Sequence, residues 1–118
     1  MLRIRLALVT LLGAALVIVA SASAATPTLN ATDGPGFTIT LKKGGTNVKS
    51  LKAGKYKIVV KDLSNIHNFH LTGPGGVNKK TGVGAKGTFT WTVTLKKGTY
   101  KYICDPHAAV MRGSFKVT

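Results

Sequence analysis

Thr88-Phe89-Thr90-Trp91-Thr92-Val93-Thr94-Leu95, the turn Lys96-Lys97-Gly98, and then Thr99-Tyr100-Lys101-Tyr102-Ile103-Cys104 set the fold class of this chain. Phe89, Trp91, Val93 and Leu95 share one face of an extended backbone while threonines take the other, the pattern of a half-buried strand. Working outward, Phe37–Lys42, Lys55–Asp62, Ile66–Thr72, Thr99–Cys104 and Arg112–Val117 read as further strands, rich in β-branched and aromatic residues and bounded by glycine. Thr26–Gly36 reads as a lead-in segment, and Gly73–Gly87 as a loop carrying at most a short edge strand. No helix is expected after Ala25. Leu51-Lys52-Ala53-Gly54-Lys55-Tyr56 echoes Leu95-Lys96-Lys97-Gly98-Thr99-Tyr100, each with a glycine two residues before a tyrosine that opens a strand. That spacing suits a tyrosine corner, so the expected architecture is all-β, a Greek-key β-sandwich.

The start of the chain follows a different logic. Arg3 and Arg5 precede an apolar run from Leu6 to Ala20, and Ala22-Ser23-Ala24 supplies a small-x-small cleavage pattern. Residues 1–24 therefore read as a signal peptide and 25–118 as one domain, exported to the periplasm, the cell surface or the medium. The competing reading is an uncleaved anchor, since Leu6–Ala25 is just long enough to span a bilayer. Removing Arg3 and Arg5 lowers the net charge from +14 to +12. Many lysines occupy turns, where they keep strand edges soluble and can also steer an acidic partner or an anionic surface. Nucleic acid is a poor partner: Arg112 is the only arginine after residue 24, and no recognition motif is present.

The chemistry-bearing residues are concentrated. All three histidines and the single cysteine lie in His67-Asn68-Phe69-His70 and Cys104-Asp105-Pro106-His107, with Met111 four positions further on. Thiolate, imidazole and thioether are the donors that select copper, and two histidines, one cysteine and a weak axial methionine make a blue-copper site. An antiparallel pairing of the strands holding His67 and Cys104 would bring both to one end of the sandwich. Strand parity favours His67 over His70, because His67 shares a face with Phe69 and Leu71 and so points toward the core. A zinc set of His67, His70, Cys104 and His107 is the other reading, and in it Met111 is only packing.

From about Phe37 to Val117 the chain resembles the cupredoxins, the plastocyanin- and azurin-like small blue-copper proteins. The resemblance rests on His67-Asn68 and on the stretch from Gly98 through Tyr100, Tyr102, Cys104 and His107 to Met111. It implies a sandwich of about eight strands, one type 1 copper ion held by His67, Cys104 and His107 with Met111 axial, and Asn68 locking the ligand loop through hydrogen bonds. The loop spacing, two residues between Cys104 and His107 and three between His107 and Met111, matches neither plastocyanins nor azurins. The expected function is single-electron transfer by Cu(I)/Cu(II) cycling, with no enzymatic activity of its own. Copper storage or delivery is the alternative. Electrons would leave by His107, with Ala108, Ala109 and Val110 as a docking patch for a transient acidic redox partner such as a cytochrome or oxidase. A monomer is expected.

Overall fold

A computed structural model describes residues 12–118. The arginines and the first part of the apolar run assigned to the signal peptide lie outside these described residues. Within them, residues 12–27 form no regular element, and no helix is long and apolar enough to cross a membrane.

Ten strands follow: β1 (Thr28–Asp33), β2 (Ile39–Lys43), β3 (Thr46–Asn47), β4 (Ser50–Leu51), β5 (Gly54–Asp62), β6 (His70–Gly73), β7 (Val77–Lys80), β8 (Gly87–Leu95), β9 (Gly98–Ile103) and β10 (Arg112–Val117). They form two five-stranded sheets, ordered β3-β2-β1-β5-β8 and β4-β10-β9-β6-β7. The expected all-β sandwich is the observed fold. The core between the sheets holds Leu29, Leu41, Ile58, Val60, Phe69, Leu71 and Val93. Tyr100 stacks on Phe115, and Phe69 on Tyr102, with centroids 5.3 and 5.4 Å apart.

Besides the two-residue strands β3 and β4, which the sequence did not suggest, three segments differ from the expectation. Thr28–Asp33 is a full strand rather than a lead-in, lying between β2 and β5 and pairing parallel to β5 from Thr28↔Lys57 to Asp33↔Asp62. It alternates like any half-buried strand, but its inward positions are Leu29, Ala31 and Asp33, too weakly apolar for the sequence to declare it. The second strand starts at Ile39, leaving Phe37 outside the sheet and 61% exposed. The third difference is at Ile66–Phe69, which is not strand. There the Asn68 N–H donates to Cys104 Sγ (3.4 Å) and the Phe69 N–H to Thr81 Oγ1 (3.0 Å), so side chains replace the ladder. β7 is the short edge strand expected in Gly73–Gly87, and β10 has its expected bounds.

The two tyrosine corners are present. The Tyr56 hydroxyl donates to the Lys52 carbonyl (2.7 Å), while the Tyr100 hydroxyl accepts from the Lys96 N–H (2.9 Å) and donates to the Pro74 carbonyl (2.8 Å). Each corner turns through a glycine at positive φ, Gly54 at +152° and Gly98 at +140°, where a Cβ would be strained. Tyr100→Phe should cost about 1–3 kcal/mol because it strands two backbone groups, and Tyr56→Phe, which strands one, about half as much. Urea melts of the two variants test this: equal losses would contradict the scaling with stranded groups, and no loss in either would mean that the corner hydroxyls carry no stability.

Candidate metal centre

β6 and β9 pair antiparallel with His70 opposite Ile103 and Leu71 opposite Tyr102. That register sends the chain before β6 and the chain after β9 to the same end of the sandwich. His67 and Cys104 meet there, both fully buried. After Cys104 a single 3-10 turn, Asp105–His107, reverses the chain. The His107 N–H donates to the Cys104 carbonyl (3.0 Å), the Met111 N–H to the His107 carbonyl (2.8 Å) and the Cys104 N–H to the Met111 carbonyl (3.0 Å). The loop is thus closed by its own backbone, and its one half-buried imidazole is turned inward.

The resulting donors are His67 Nδ1, His107 Nδ1 and Cys104 Sγ. The two nitrogens are 3.0 Å apart, and the sulfur lies 3.7 Å from His67 and 3.5 Å from His107. A triangle with those sides has a centre about 2 Å from each atom, the length of a metal–imidazole bond and slightly inside the about 2.3 Å of a metal–thiolate bond. The set therefore fits a small, borderline-soft ion. Met111 is fully buried at the start of β10, its main chain closing the loop. His70 is not part of the cluster: its Nδ1 faces Asp105 Oδ1 (2.8 Å) and its Nε2 faces Asn78 Oδ1 (2.6 Å). The fourth donor of the zinc set is thereby engaged elsewhere. Ala108 is half-buried, while Ala109 and Val110 are exposed, Val110 by 69%.

Asn68 ties the cluster together. Its Nδ2 donates to Asp105 Oδ2 (2.7 Å) and to the Thr81 carbonyl (3.1 Å), its Oδ1 accepts from the Asp105 N–H (2.7 Å), and its own N–H points at the thiol sulfur. Burial alone pushes the Asp105 carboxyl up, but hydrogen bonds from His70 and Asn68 and the nearby charges of His70 and Lys80 outweigh it and hold the group below the usual carboxylate range.

Several participants carry no sequence signal. Phe37 stands edge-on to both imidazoles, with centroids 5.2 Å from His67 and 5.0 Å from His107, and screens them from solvent. Gly34 lies against His67, where a Cβ would come within 3.3 Å of the imidazole Cδ2 and 2.9 Å of the Ser64 Cβ. Thr81, a buried hydroxyl in the Gly-rich stretch, accepts from Phe69 and donates to Asp62 Oδ2 (3.4 Å). Beside Asp62 sits Asp33, fully buried, with neither oxygen meeting a donor. Two of the chain's three acids are therefore buried side by side, a rarity that could have marked them.

The profile of the copper binding proteins, plastocyanin/azurin family, matches residues 20–118. Among solved structures, reduced rusticyanin superposes with a TM-score of 0.60 at 24% identity over 82% of each chain. Rusticyanin from Thiobacillus ferrooxidans superposes with a TM-score of 0.55 at 22% identity over 81% of this chain and 79% of that one. At these identities the likeness concerns the fold. No curated protein matches the chain.

The Asp33–Asp62 pair gives a pH prediction. Burial, followed by a hydrogen bond to Asp62 and by the charge of Asp62, raises Asp33 to about 7, since a proton on Asp33 supplies the bond that the ionised pair lacks. A raised folded value means stability that is complete below the unfolded value near 3.8 and is lost as pH rises through about 7. Asp33→Asn, which stays neutral and can donate to Asp62, should gain thermal stability relative to the parent at pH 8 and lose that advantage by pH 4. Parallel melting curves for parent and variant across this range would contradict the shared proton.

Proposed function

The chain belongs to the plastocyanin/azurin family of copper-binding proteins, the cupredoxins, and from that membership we propose that it is an exported single-electron carrier. Its cofactor is one type 1 copper ion. The observation that carries the proposal is the buried cluster of two imidazole nitrogens and one thiolate sulfur on a loop closed by its own hydrogen bonds. Bound copper supplies a one-electron couple whose potential follows the thiolate's surroundings and the axial donor.

The chain's residues have separable tasks in this reading. His67, held by the packing of Gly34 and Phe37, and His107, held by the turn, present Nδ1. Cys104 presents its sulfur, and the Asn68 N–H beside it withdraws electron density from the thiolate, which favours the reduced form. Met111, buried beside the start of β10, would supply a thioether to the bound copper. The backbone ties across Cys104–Met111 resist movement between oxidation states, which keeps reorganisation small. Burial of the thiol also keeps solvent and oxidants from it.

His107, the least buried of the three, is the outlet. Ala108, Ala109 and Val110 give a partner a small apolar contact, and Lys101 and Arg112 flank a groove of ≈ 510 Å³ beside Ala108. An acidic, transiently bound redox protein fits that surface.

Cys104→Ser should abolish the intense visible thiolate-to-copper band while leaving a folded sandwich by circular dichroism. A variant that keeps the band would refute thiolate ligation. His67→Ala should likewise lose the band, and His70→Ala should keep it. Copper should also raise the parent's melting temperature, by a stability increment of about 2.7 kcal/mol at one hundred times the dissociation constant.

The rate of electron exchange with an acidic redox protein should fall as salt rises, with screening over about 8 Å at physiological strength. Arg112→Glu should weaken that dependence more than Lys43→Glu. Stopped-flow measurements at two ionic strengths decide it, and a salt-independent rate would leave docking to the apolar patch alone.

A further inference from the structure

Charge is unevenly divided between the two ends of the sandwich, with exposed Lys61, Lys80, Lys86 and Arg112 standing near the acids at the metal end and a larger group of lysines at the other. β1 and β5 run in parallel toward the metal end and finish there with Asp33 and Asp62, and Asp105 follows β9 at the same end. All three carboxylate side chains of the sequence therefore lie at the metal end. At the opposite end the turns and short links carry exposed Lys43, Lys49, Lys52, Lys55, Lys96 and Lys97. The first three of these line an open cleft of ≈ 480 Å³ together with Thr46, Leu51 and Tyr56.

The apolar segment enters the fold at this lysine end. β1 begins there, with Thr28 opposite Lys57 and the Pro27 carbonyl accepting the Lys57 N–H at 3.0 Å. Before it, Leu12, Leu16, Val17, Ile18 and Val19 are 79–93% exposed and unpacked. The linking residues 21–27 can reach at most about 25 Å. An apolar segment and a basic surface thus sit on one pole, facing away from the copper ligands.

We propose that the lysine end is a docking face for an anionic phospholipid surface, on which the protein stands with its metal end turned outward. Clustered lysines beside an apolar segment make a two-signal attachment: each cation gains from the negative surface potential within a Debye length, and the segment adds apolar burial. With the apolar segment retained rather than cleaved as a signal peptide, this pole is held at a bilayer, whereas an acidic protein would match the lysines but not the segment. A second copy of the chain is repelled by its own charge. The orientation also leaves the His107 edge free, so it is compatible with the electron-carrier reading without depending on it.

The test is sedimentation of the full copper-loaded chain with phosphatidylcholine vesicles, with and without about 30% phosphatidylserine. Serine lipid should raise partitioning strongly, and Lys43→Glu/Lys52→Glu/Lys97→Glu should lower that gain about 100-fold or more. Lys61→Glu/Lys79→Glu/Arg112→Glu, an equal change in net charge at the metal end, should keep most of the gain. Circular dichroism and the visible band report whether each variant is folded. Raising salt should release the serine-dependent part of the parent's binding, a measurement that needs no variant. Equal losses from both triple variants, or no preference for serine lipid, would overturn the proposal. So would a lysine-end variant that binds vesicles normally but slows exchange with an acidic redox protein. Each of these failures would leave the visible band, and with it the electron-carrier reading, intact.

Discussion

The Asn68 side chain is the tie on which the metal end depends. Two segments 37 positions apart must be held to within a few tenths of an ångström if His67 and Cys104 are to share one ion. Asn68 does this with a reciprocal pair of 2.7 Å bonds to Asp105 and a third to the Thr81 carbonyl. Because it is 1% exposed, water offers no substitute partner, and loss of the amide would leave several buried groups unpaired. The sandwich supplies the platform, through the antiparallel β6–β9 register, and the amide supplies the last adjustment.

A layer of polar groups under that tie would normally be a liability. Thr81 links Asn68 and Phe69 to Asp62, so a buried chain of hydrogen bonds runs from the ligand segment to the end of β5, where Asp33 of β1 lies beside it. Its cost is met by near-complete satisfaction, except at Asp33, where a retained proton removes the charge that burial penalises. The metal end is therefore held by electrostatics and hydrogen bonds, and the far end by the tyrosine corners.

Much of this was legible in the sequence because it rests on local pattern. The alternation in Thr88–Leu95 and the Gly–x–Tyr spacing at Tyr56 and Tyr100 each report a strand or turn from a few adjacent residues. His67, Cys104 and His107 stood out because their residue types are rare in this chain. What stayed hidden depends on registers between distant segments. Asp33 becomes a neighbour of Asp62 only through the parallel β1–β5 pairing, Thr81 meets Phe69 across a long loop, and Phe37 covers the imidazoles because β2 starts two residues later than its apolar pattern suggests. The lysines illustrate the same limit, since composition gives their number and only topology shows that the turns far from the metal hold the larger share.

Titration of the purified protein with Cu(II), followed by visible absorption and then by a reducing titration, tests the central claim most directly. The account predicts an intense thiolate-to-copper band that saturates at one ion per chain, bleaches on uptake of one electron and returns on reoxidation. A weak or absent band at saturating copper, or a band that does not recover after one reduction cycle, would contradict a blue-copper electron-transfer site built from His67, Cys104 and His107.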